Sequence, residues 1–504
     1  MRTYPCYLFT LLALLSVNVC YGLEKLEPSG DDRTGRPNIV VILADDMGYG
    51  DIGAYNEKSL IPTPNLDDMA AAGMRFTDAH TPSSVCTPSR YSLLTGRYAW
   101  RTHLKTGVLW GYSPLLIEPG RETIASMLRK QGYHTAGIGK WHLGLGNGEP
   151  SYYGVPVTEG ESPAVDSKRL RPGPNEVGFD YFFGTPASLD MKPYVYIENG
   201  QPLTPMTGKL VEASERRRGG GGGMWRKGEI AEGFDHQKVL PTLTEKAVHY
   251  IHTRGQSDGE PFFLYFSLTA PHTPWLPSEA FIGKSEAGYY GDFNVQVDHV
   301  VGQVYNALES AGVAENTLVV FTSDNGANWL TVDIEKYGHY ANGSLRGQKA
   351  DIYEGGHRVP LLFTWPNHIP QNTVSDQPAT LADLMATFAT LTDVALADTS
   401  APDSVDISPV LLGGAAKVTR EPLIHHSVDG MFAIREGEWK LVEGLGSGGF
   451  TAPVREKATE DGVKVQLYNL AQDPGETKNV AAKHPKIVAQ LQSKLDHIRS
   501  NEYR

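Results

Sequence analysis

The chain has 504 residues, of which 40% are hydrophobic, enough for a large core and for about two or three domain-sized units. Its formal net charge is −13. Non-specific nucleic-acid binding depends on positive charge that releases the counterions of phosphates, so we expect no nucleic-acid partner. An anionic substrate would need positive charge gathered locally at its site.

The first 22 residues have the pattern of a signal peptide. Arg2 supplies the charged start, residues 7–19 form a short apolar run, and residues 20–22 form a possible cleavage end. We therefore expect a secreted or periplasmic protein, with a membrane anchor as the alternative. No later segment reaches the roughly 20 apolar residues of a membrane span, so we expect no transmembrane segment in the mature chain.

The cysteine count sets a second expectation. The chain contains three cysteines, Cys6, Cys20 and Cys86. The first two would leave with the signal peptide, so the mature chain has no intramolecular disulfide. A single remaining thiol in a secreted protein requires an explanation.

Strand and helix patterns alternate along the next part of the chain. Apolar runs typical of buried strands cover residues 38–44, 134–140, 261–270 and 316–324. Helical spacing marks residues 122–132, which end at a glycine, and the apolar positions of residues 293–308. This alternation predicts an α/β layer with a large, mostly parallel sheet, in which ligands bind beyond the carboxyl ends of the strands.

The pattern changes after residue 400. Residues 430–444 and 463–470 are typical of antiparallel strands, and residues 485–499 of a final helix. We therefore predict a catalytic domain over residues 37–400 and a smaller α+β subdomain over residues 401–504 that carries an antiparallel sheet.

A basic, glycine-rich segment lies at residues 216–228. It places five basic residues and Trp225 around five glycines. One interpretation is a surface loop without a function. The other is a flexible basic lip that captures an anionic ligand, with Trp225 as a stacking surface and Arg226 among its charges.

Acidic pairs follow two of the predicted strands. Asp45 and Asp46 end the first strand, and Asp324 and Asn325 end the fourth. Adjacent carboxylates repel each other unless positive charge lies between them. Three carboxylates and an amide oxygen suit a hard divalent cation, calcium before magnesium. Solvated turns or helix caps remain the alternative for each pair.

Basic residues follow the other two strands. Lys140 and His142 are two residues apart, so an extended chain would place them on one face. His272 follows residues 261–270, and Lys349 lies in a glycine-containing segment at residues 345–360. Each of these residues alone is typical of a structural or solvated side chain, and they form a site only if they converge on one anion.

The segment CTPSRYSLLTGR (86–97) carries the remaining cysteine. It predicts a turn with Pro88 and a helix that starts near Ser89. A thiolate at a helix N-terminus beside Arg90 would have a lowered pKa. A buried inert thiol is the alternative.

This segment resembles the signature of the type I sulfatases, in which a maturation enzyme oxidises the cysteine to formylglycine. The resemblance extends, in the family's order, over GKWHLG (139–144), GFDYFFG (178–184), TAPHTP (269–274), TSDNG (322–326) and LRGQKADIYEGGHRVP (345–360). It covers most of the chain and is strongest to the arylsulfatase A-like and N-acetylgalactosamine-6-sulfatase-like members. It implies an alkaline-phosphatase-like fold.

The resemblance also implies a role for each matched residue. Asp45, Asp46, Asp324 and Asn325 would hold one calcium ion together with residue 86. Arg90 and Lys140 would steady the formylglycine hydrate, and His142 would be the base. His272 and Lys349 would hold the sulfate and assist the leaving oxygen. Ser188, on a looser match, and Asp190 would contact the sugar.

The expected function is removal of sulfate from a sulfated carbohydrate, with a galactose or N-acetylgalactosamine 6-sulfate favoured by the resemblance. The expected partners are that carbohydrate and the formylglycine-generating maturation enzyme. Two alternatives stay open: a phosphoester or phosphonate monoester hydrolase of the same fold, and an inactive glycan-binding relative.

Overall fold

The computed structural model describes Met1 and residues 35–146, 170–214, 224–257, 259–397, 399–460 and 462–501. The predicted signal peptide and most of the basic segment lie outside these residues. Within them, no helix combines the length and the apolar composition that a membrane span requires. The described residues from Arg36 onward pack as one compact unit, and the predicted boundary at residue 400 stays a prediction.

A ten-stranded sheet forms the centre of this unit. Its strands are β1 (Asn38–Asp45), β2 (Met74–Phe76), β4 (His134–Lys140), β5 (Tyr181–Thr185), β6 (Ile197–Glu198), β7 (Gln201–Pro202), β12 (Phe262–Pro271), β13 (Thr317–Ser323), β14 (Leu361–Thr364) and β15 (Thr373–Ser375). The order is β15-β2-β14-β13-β1-β12-β4-β5-β6-β7. The five adjacent strands from β13 to β5 run parallel to one another.

Helices cover both faces of this sheet. All eight residues of β1 are buried, which is typical of a parallel strand covered on both sides. The helices of the described residues are α1 (Pro64–Ala72), α2 (Cys86–Thr95), α3 (Ile124–Arg129), α4 (Val239–Gly255), α5 (Gly288–Ser310), α6 (Thr331–Tyr337), α7 (Glu354–His357), α8 (Asp383–Leu391), α9 (Ser408–Leu411) and α10 (Pro485–Ser500). Helices α1, α4 and α5 pack together against the sheet, and α2, α3 and α8 form a second packed group.

A separate antiparallel sheet lies near the C-terminus. Its strands are β17 (Leu423–His426), β18 (Phe432–Glu436), β19 (Trp439–Val442) and β20 (Gln466–Asn469), in that order. Leu491 and Leu495 of α10 pack against it in a small apolar cluster. The two sheets together confirm the predicted α/β architecture with a smaller antiparallel sheet.

Short strand pairs complete the described structure. They are β3 (Ala79–His80) with β16 (Ala379–Thr380), β8 (Gly208–Leu210) with β11 (Gly228–Ile230), and β9 (Ala213–Ser214) with β10 (Met224–Trp225). The last two pairs are antiparallel and lie on either side of residues 215–223 in the chain. Residues 224–228, the described part of the basic segment, therefore contribute to these antiparallel pairs.

A buried polar cluster connects the small sheet to the large domain. The His357 and His425 rings stack with their centroids 3.9 Å apart, and His80 Nδ1 lies 3.0 Å from His357 Nδ1. Lys440 of β19 donates to His357 Nε2 over 3.0 Å and to Glu354 over 3.1 Å. Because His357 Nε2 accepts from this ammonium, its Nδ1–H is free to donate to His80.

Two helix predictions differ from the structure. Helix α3 ends at Arg129, short of the predicted 132, although Gly132 does adopt a positive φ of 83° after it. Helix α2 begins at Cys86 itself rather than near Ser89. Pro88 lies within the first turn, where its missing N–H has no helical partner to lose, so it starts the helix instead of delaying it.

Candidate active site

Several predicted site residues lie at or just after the carboxyl end of a parallel strand. Asp45 and Asp46 close β1, Lys140 closes β4, His272 follows β12, and Asp324 follows β13. Since the carboxyl ends of parallel strands meet at one edge, these side chains converge. One ligand atom from each of Asp45, Asp46, Cys86 and His272 lies within 4.8 Å of the others.

The backbone leaves the sheet sharply at two of these positions. Asp46 has a φ of 69° and His142 a φ of 53°, conformations that non-glycine residues rarely adopt. The Asp46 N–H donates to Asp324 Oδ1, and the His142 N–H donates to the Pro186 carbonyl. The prediction that an extended chain places Lys140 and His142 on one face is therefore wrong. Strand β4 ends at Lys140, and the turn that follows determines the orientation of His142.

Buried ion pairs neutralise the acids. Lys140 Nζ lies 2.7 Å and 2.8 Å from the two Asp45 oxygens, and Lys349 Nζ lies 2.6 Å and 2.8 Å from those of Asp46. Burial alone would raise the pKa of Asp45, but the charges of Lys140, His272 and Arg90 outweigh it and lower the pKa to about 2. The pKa of Asp46 is lowered against the same effect of burial, chiefly by Lys349.

Arg90 lies fully buried among four polar groups. It donates to Asp324 Oδ2 from Nε at 3.0 Å and from Nη2 at 2.7 Å, and Nη2 lies 3.3 Å from Asp45. Its Nη1 donates to the Lys140 carbonyl and to the Ser267 hydroxyl. Ser267 was not among the predicted site residues, although its position near the end of the apolar run at residues 261–270 could have indicated it.

Asn325 supplies an unpaired oxygen at this edge. Its Nδ2 donates to Asp46 Oδ1 at 2.8 Å, while its Oδ1 is buried without a hydrogen-bond partner. Buried polar atoms normally have a partner, so an unpaired amide oxygen beside three carboxylates fits an oxygen-preferring cation. The residues present therefore fit the predicted calcium.

Cys86 is buried at the start of α2 and forms no disulfide. Burial raises the pKa of its thiol to about 12, although Lys140 and Lys349 act in the opposite direction. The expectation of a lowered thiol pKa is therefore wrong, because loss of solvation outweighs the helix terminus and the nearby cations. The unmodified side chain is a neutral thiol and a weak nucleophile.

His142 has one paired and one unpaired nitrogen. Its Nε2 lies 2.7 Å from the Leu109 carbonyl, which can only accept, so Nε2 carries the proton. Its Nδ1 is buried without a partner. Burial, with Lys140 and Arg90, lowers the pKa of His142 well below its usual value. The ring is therefore neutral and keeps a free lone pair.

The predicted sugar contacts lie beside His142. Ser188 Oγ and Asp190 Oδ1 are buried without partners, a few residues after the Pro186 carbonyl that binds the His142 backbone. Arg226 holds the other oxygen of Asp190 at 2.6 Å, and its guanidinium lies 4.9 Å from the ring centroid of Trp110.

Trp225 has a different environment from Arg226. Its ring stacks on His236 with centroids 4.6 Å apart, and its indole N–H donates to the Val211 carbonyl. One face of this ring is therefore already covered. Trp110 was not among the predicted site residues. It is more exposed than Trp225 and follows Leu109, whose carbonyl accepts from His142.

Comparisons with known proteins agree on one family. Residues 37–394 match the family model described as Sulfatase. An N-acetylgalactosamine-6-O-sulfatase of Bacteroides thetaiotaomicron is 32% identical, covering 95% of this chain and 96% of its own. Arylsulfatase A of Homo sapiens is 35% identical, covering 90% and 86%. A solved structure described under the metabolism of multiple glycosaminoglycans by Bacteroides thetaiotaomicron aligns with a TM-score of 0.78 and 30% identity, over 93% of this chain and 100% of that one.

Proposed function

The chain belongs to the sulfatase family and is a sulfuric ester hydrolase, and on this basis we propose that it removes sulfate from a sulfated carbohydrate, with residue 86 as formylglycine and with calcium. The observation that carries the proposal is the convergence of Asp45, Asp46, Cys86 and His272 within 4.8 Å. Buried lysines at both aspartates complete a site for an anion.

The charges of the site support this substrate class. The carboxylates of Asp45, Asp46 and Asp324 balance the cations of Arg90, Lys140 and Lys349, as their ion pairs show. A divalent cation would add two positive charges to this balanced set. The site would then attract a sulfate ester, although the whole protein is acidic.

Asp45, Asp46, Asp324 and the unpaired oxygen of Asn325 would hold the calcium, together with an oxygen of residue 86. When bound, calcium stabilises the negative charge that develops on the sulfate oxygens in the transition state. Lys349 binds Asp46, and His272 lies 3.7 Å from the same carboxylate. These two residues would hold the sulfate oxygens and assist the departing alcohol.

A hydrated formylglycine carries two hydroxyl groups on one carbon. One hydroxyl would attack sulfur as the bond from sulfur to the sugar oxygen breaks, and its proton would pass to the departing alcohol with the assistance of His272 and Lys349. His142 would then accept the proton of the other hydroxyl on its free Nδ1, so that the carbonyl re-forms and the carbon–oxygen bond to sulfate breaks. The neutral thiol of unmodified Cys86 has no second hydroxyl for this step, which is a physical reason for the modification.

The relatives favour a particular sugar. One is named an N-acetylgalactosamine-6-O-sulfatase, and we extend a galactose or N-acetylgalactosamine 6-sulfate substrate to this chain. The unpaired Ser188 hydroxyl and Asp190 carboxylate oxygen are suited to bind sugar hydroxyls. The signal-peptide pattern of residues 1–22 supports secretion or export to the periplasm.

Peptide mass spectrometry tests the modification directly. Protein made together with the maturation enzyme should show an aldehyde or its hydrate at residue 86. Cys86→Ala should abolish turnover without changing the fold, and Asp324→Ala should cost at least ~10²-fold in rate. A fully unmodified thiol in active protein would contradict the mechanism.

A substrate screen tests the reaction class. Sulfated mono- and disaccharides of heparan, chondroitin and galactan types should be hydrolysed, in preference to phosphate and phosphonate monoesters. Faster turnover of phosphate monoesters would favour the alternative hydrolase.

A further inference from the structure

A cavity of about 270 Å³ is lined in part by Gln348, the residue before Lys349. Its lining includes Trp329, Tyr340, Asn342 and Gln348. The volume is just below the range of about 300–1,000 Å³ that is typical of small-molecule sites. It therefore suits one ring-sized ligand unit rather than a longer segment.

Two lining residues connect the cavity to the catalytic residues through the backbone. Gln348 directly precedes Lys349, whose ammonium binds Asp46. The Asn342 side chain accepts a hydrogen bond from the Ala327 N–H and donates one to the Ala327 carbonyl. That carbonyl also accepts from the Lys349 N–H. Ala327 lies two residues after Asn325. A group attached to a substrate in the active site would therefore have this cavity as a neighbour.

The lining combines apolar and polar side chains and is uncharged. Among the described residues, those that line the cavity include no Asp, Glu, Lys, Arg or His. Thr331, Ser344 and Thr451 supply hydroxyls. An ionised ligand group would find no counter-charge in this lining, so the cavity favours a neutral ligand with hydrogen-bonding groups.

Two side chains point to a ligand rather than to a packing gap. The side-chain carbonyl oxygen of Gln348 is buried without a partner, while its amide nitrogen donates to Thr451. Tyr340 is 55% exposed, so its ring is accessible to a ligand in the cavity. A sugar ring offers hydroxyl or N-acetyl donors for the first and an apolar face for the second.

We propose that this cavity is a subsite for an uncharged sugar unit linked to the sulfated sugar. The inference rests on the proposed carbohydrate function and adds two statements to it. The enzyme should prefer a neutral hexose or N-acetylhexosamine as the neighbouring unit. It should disfavour a uronic acid at the same place.

The experiment compares three probes: N-acetylgalactosamine 6-sulfate, its disaccharide with galactose, and its disaccharide with glucuronic acid. Wild-type kcat/KM should be highest for the galactose disaccharide. Tyr340→Ala should lower that value about fivefold to tenfold, on the scale of one aromatic contact, and leave the monosaccharide value unchanged. Tyr340→Phe is the matched control and should retain most of the preference, because it keeps the ring.

Gln348→Leu provides a second variant, which removes the unpaired oxygen, and circular dichroism confirms that each variant is folded. Equal kcat/KM for the monosaccharide and the galactose disaccharide in the wild type would overturn the subsite, and so would a preference for the glucuronic acid disaccharide. In both cases the monosaccharide is still cleaved, so the proposed function stands. Failure to cleave all three probes, with an aryl sulfate still cleaved, would instead overturn the proposed 6-sulfate substrate and the subsite together.

Discussion

Ser267 holds the buried guanidinium of Arg90, and its substitution tests how much the site depends on that contact. The Ser267 side chain is buried on β12 and accepts from Arg90 Nη1. In Ser267→Ala, Nη1 keeps only the Lys140 carbonyl, at 3.3 Å. A hydrogen bond to a charged group contributes about 1.5–3 kcal/mol, so we expect the free energy of unfolding to fall by about that amount.

Activity should fall as well, because Arg90 orients Asp324 and Asp45. Each 1.4 kcal/mol lost from the transition state is about a tenfold change in rate. If the whole contact acts in the transition state, kcat/KM for a small aryl sulfate should fall between about tenfold and about a hundredfold. Mass spectrometry of residue 86 must normalise the rates to the modified fraction.

Thr269 provides the matched control. It lies two residues further along the same strand and is also buried, but its hydroxyl has no hydrogen-bond partner. Thr269→Val should therefore leave both urea unfolding and kcat/KM close to wild type, since no bond is lost. If Ser267→Ala behaves like Thr269→Val in both assays, Arg90 does not depend on Ser267 and the reasoning fails.

Three further outcomes follow from the described contacts. The acid limb of kcat should lie well below pH 6.5, because the pKa of His142 is lowered and a base acts only when unprotonated; a limb at pH 6.5 in a kcat profile would exclude His142 as the buried base. The melting temperature should fall as the pH drops below about 6.5. Burial lowers the pKa of His80, His357 and His425 in the folded chain, so these histidines bind protons more readily in the unfolded chain, which is thereby favoured. Burial raises the pKa of Glu476 to about 7, which acts in the opposite direction, so equal melting temperatures at pH 7.5 and 5 would mean that this carboxyl offsets the three rings. Lys227→Ala should raise KM for a sulfated oligosaccharide only at low salt. Arg226→Ala should also raise KM for the monosaccharide, because it releases Asp190. Identical effects of the two changes would contradict the Arg226–Asp190 contact.

The sequence predicted the strands that build the active site with little error. The run at residues 134–140 matches β4 to the residue, the run at 38–44 differs from β1 by one residue at one end, and the runs at 261–270 and 316–324 differ from β12 and β13 by one residue at each end. These strands are mostly apolar because both sheet faces are covered, and that pattern is visible locally. The residues that follow them then had to meet at one edge.

The conformation of the turns was not predictable in the same way. The positive φ of His142 is stabilised by the Pro186 carbonyl and by Thr87, which donates to the His142 carbonyl. Neither partner is near His142 in the sequence. The prediction of a lowered thiol pKa was wrong for a related reason, because the sequence shows the helix and Arg90 but not the complete burial of Cys86.

The burial of Cys86 has a consequence in time as well as in space. Only 2% of this residue is exposed in the folded chain, and every residue of the helix that it begins is buried. A separate enzyme cannot oxidise a side chain that it cannot reach, so we expect the modification to precede folding. The yield of active protein would then depend on the rate of oxidation of Cys86 relative to the rate at which the chain folds around α2. Slower folding should increase the modified fraction, and unmodified protein that has already folded should stay unmodified until it is unfolded again.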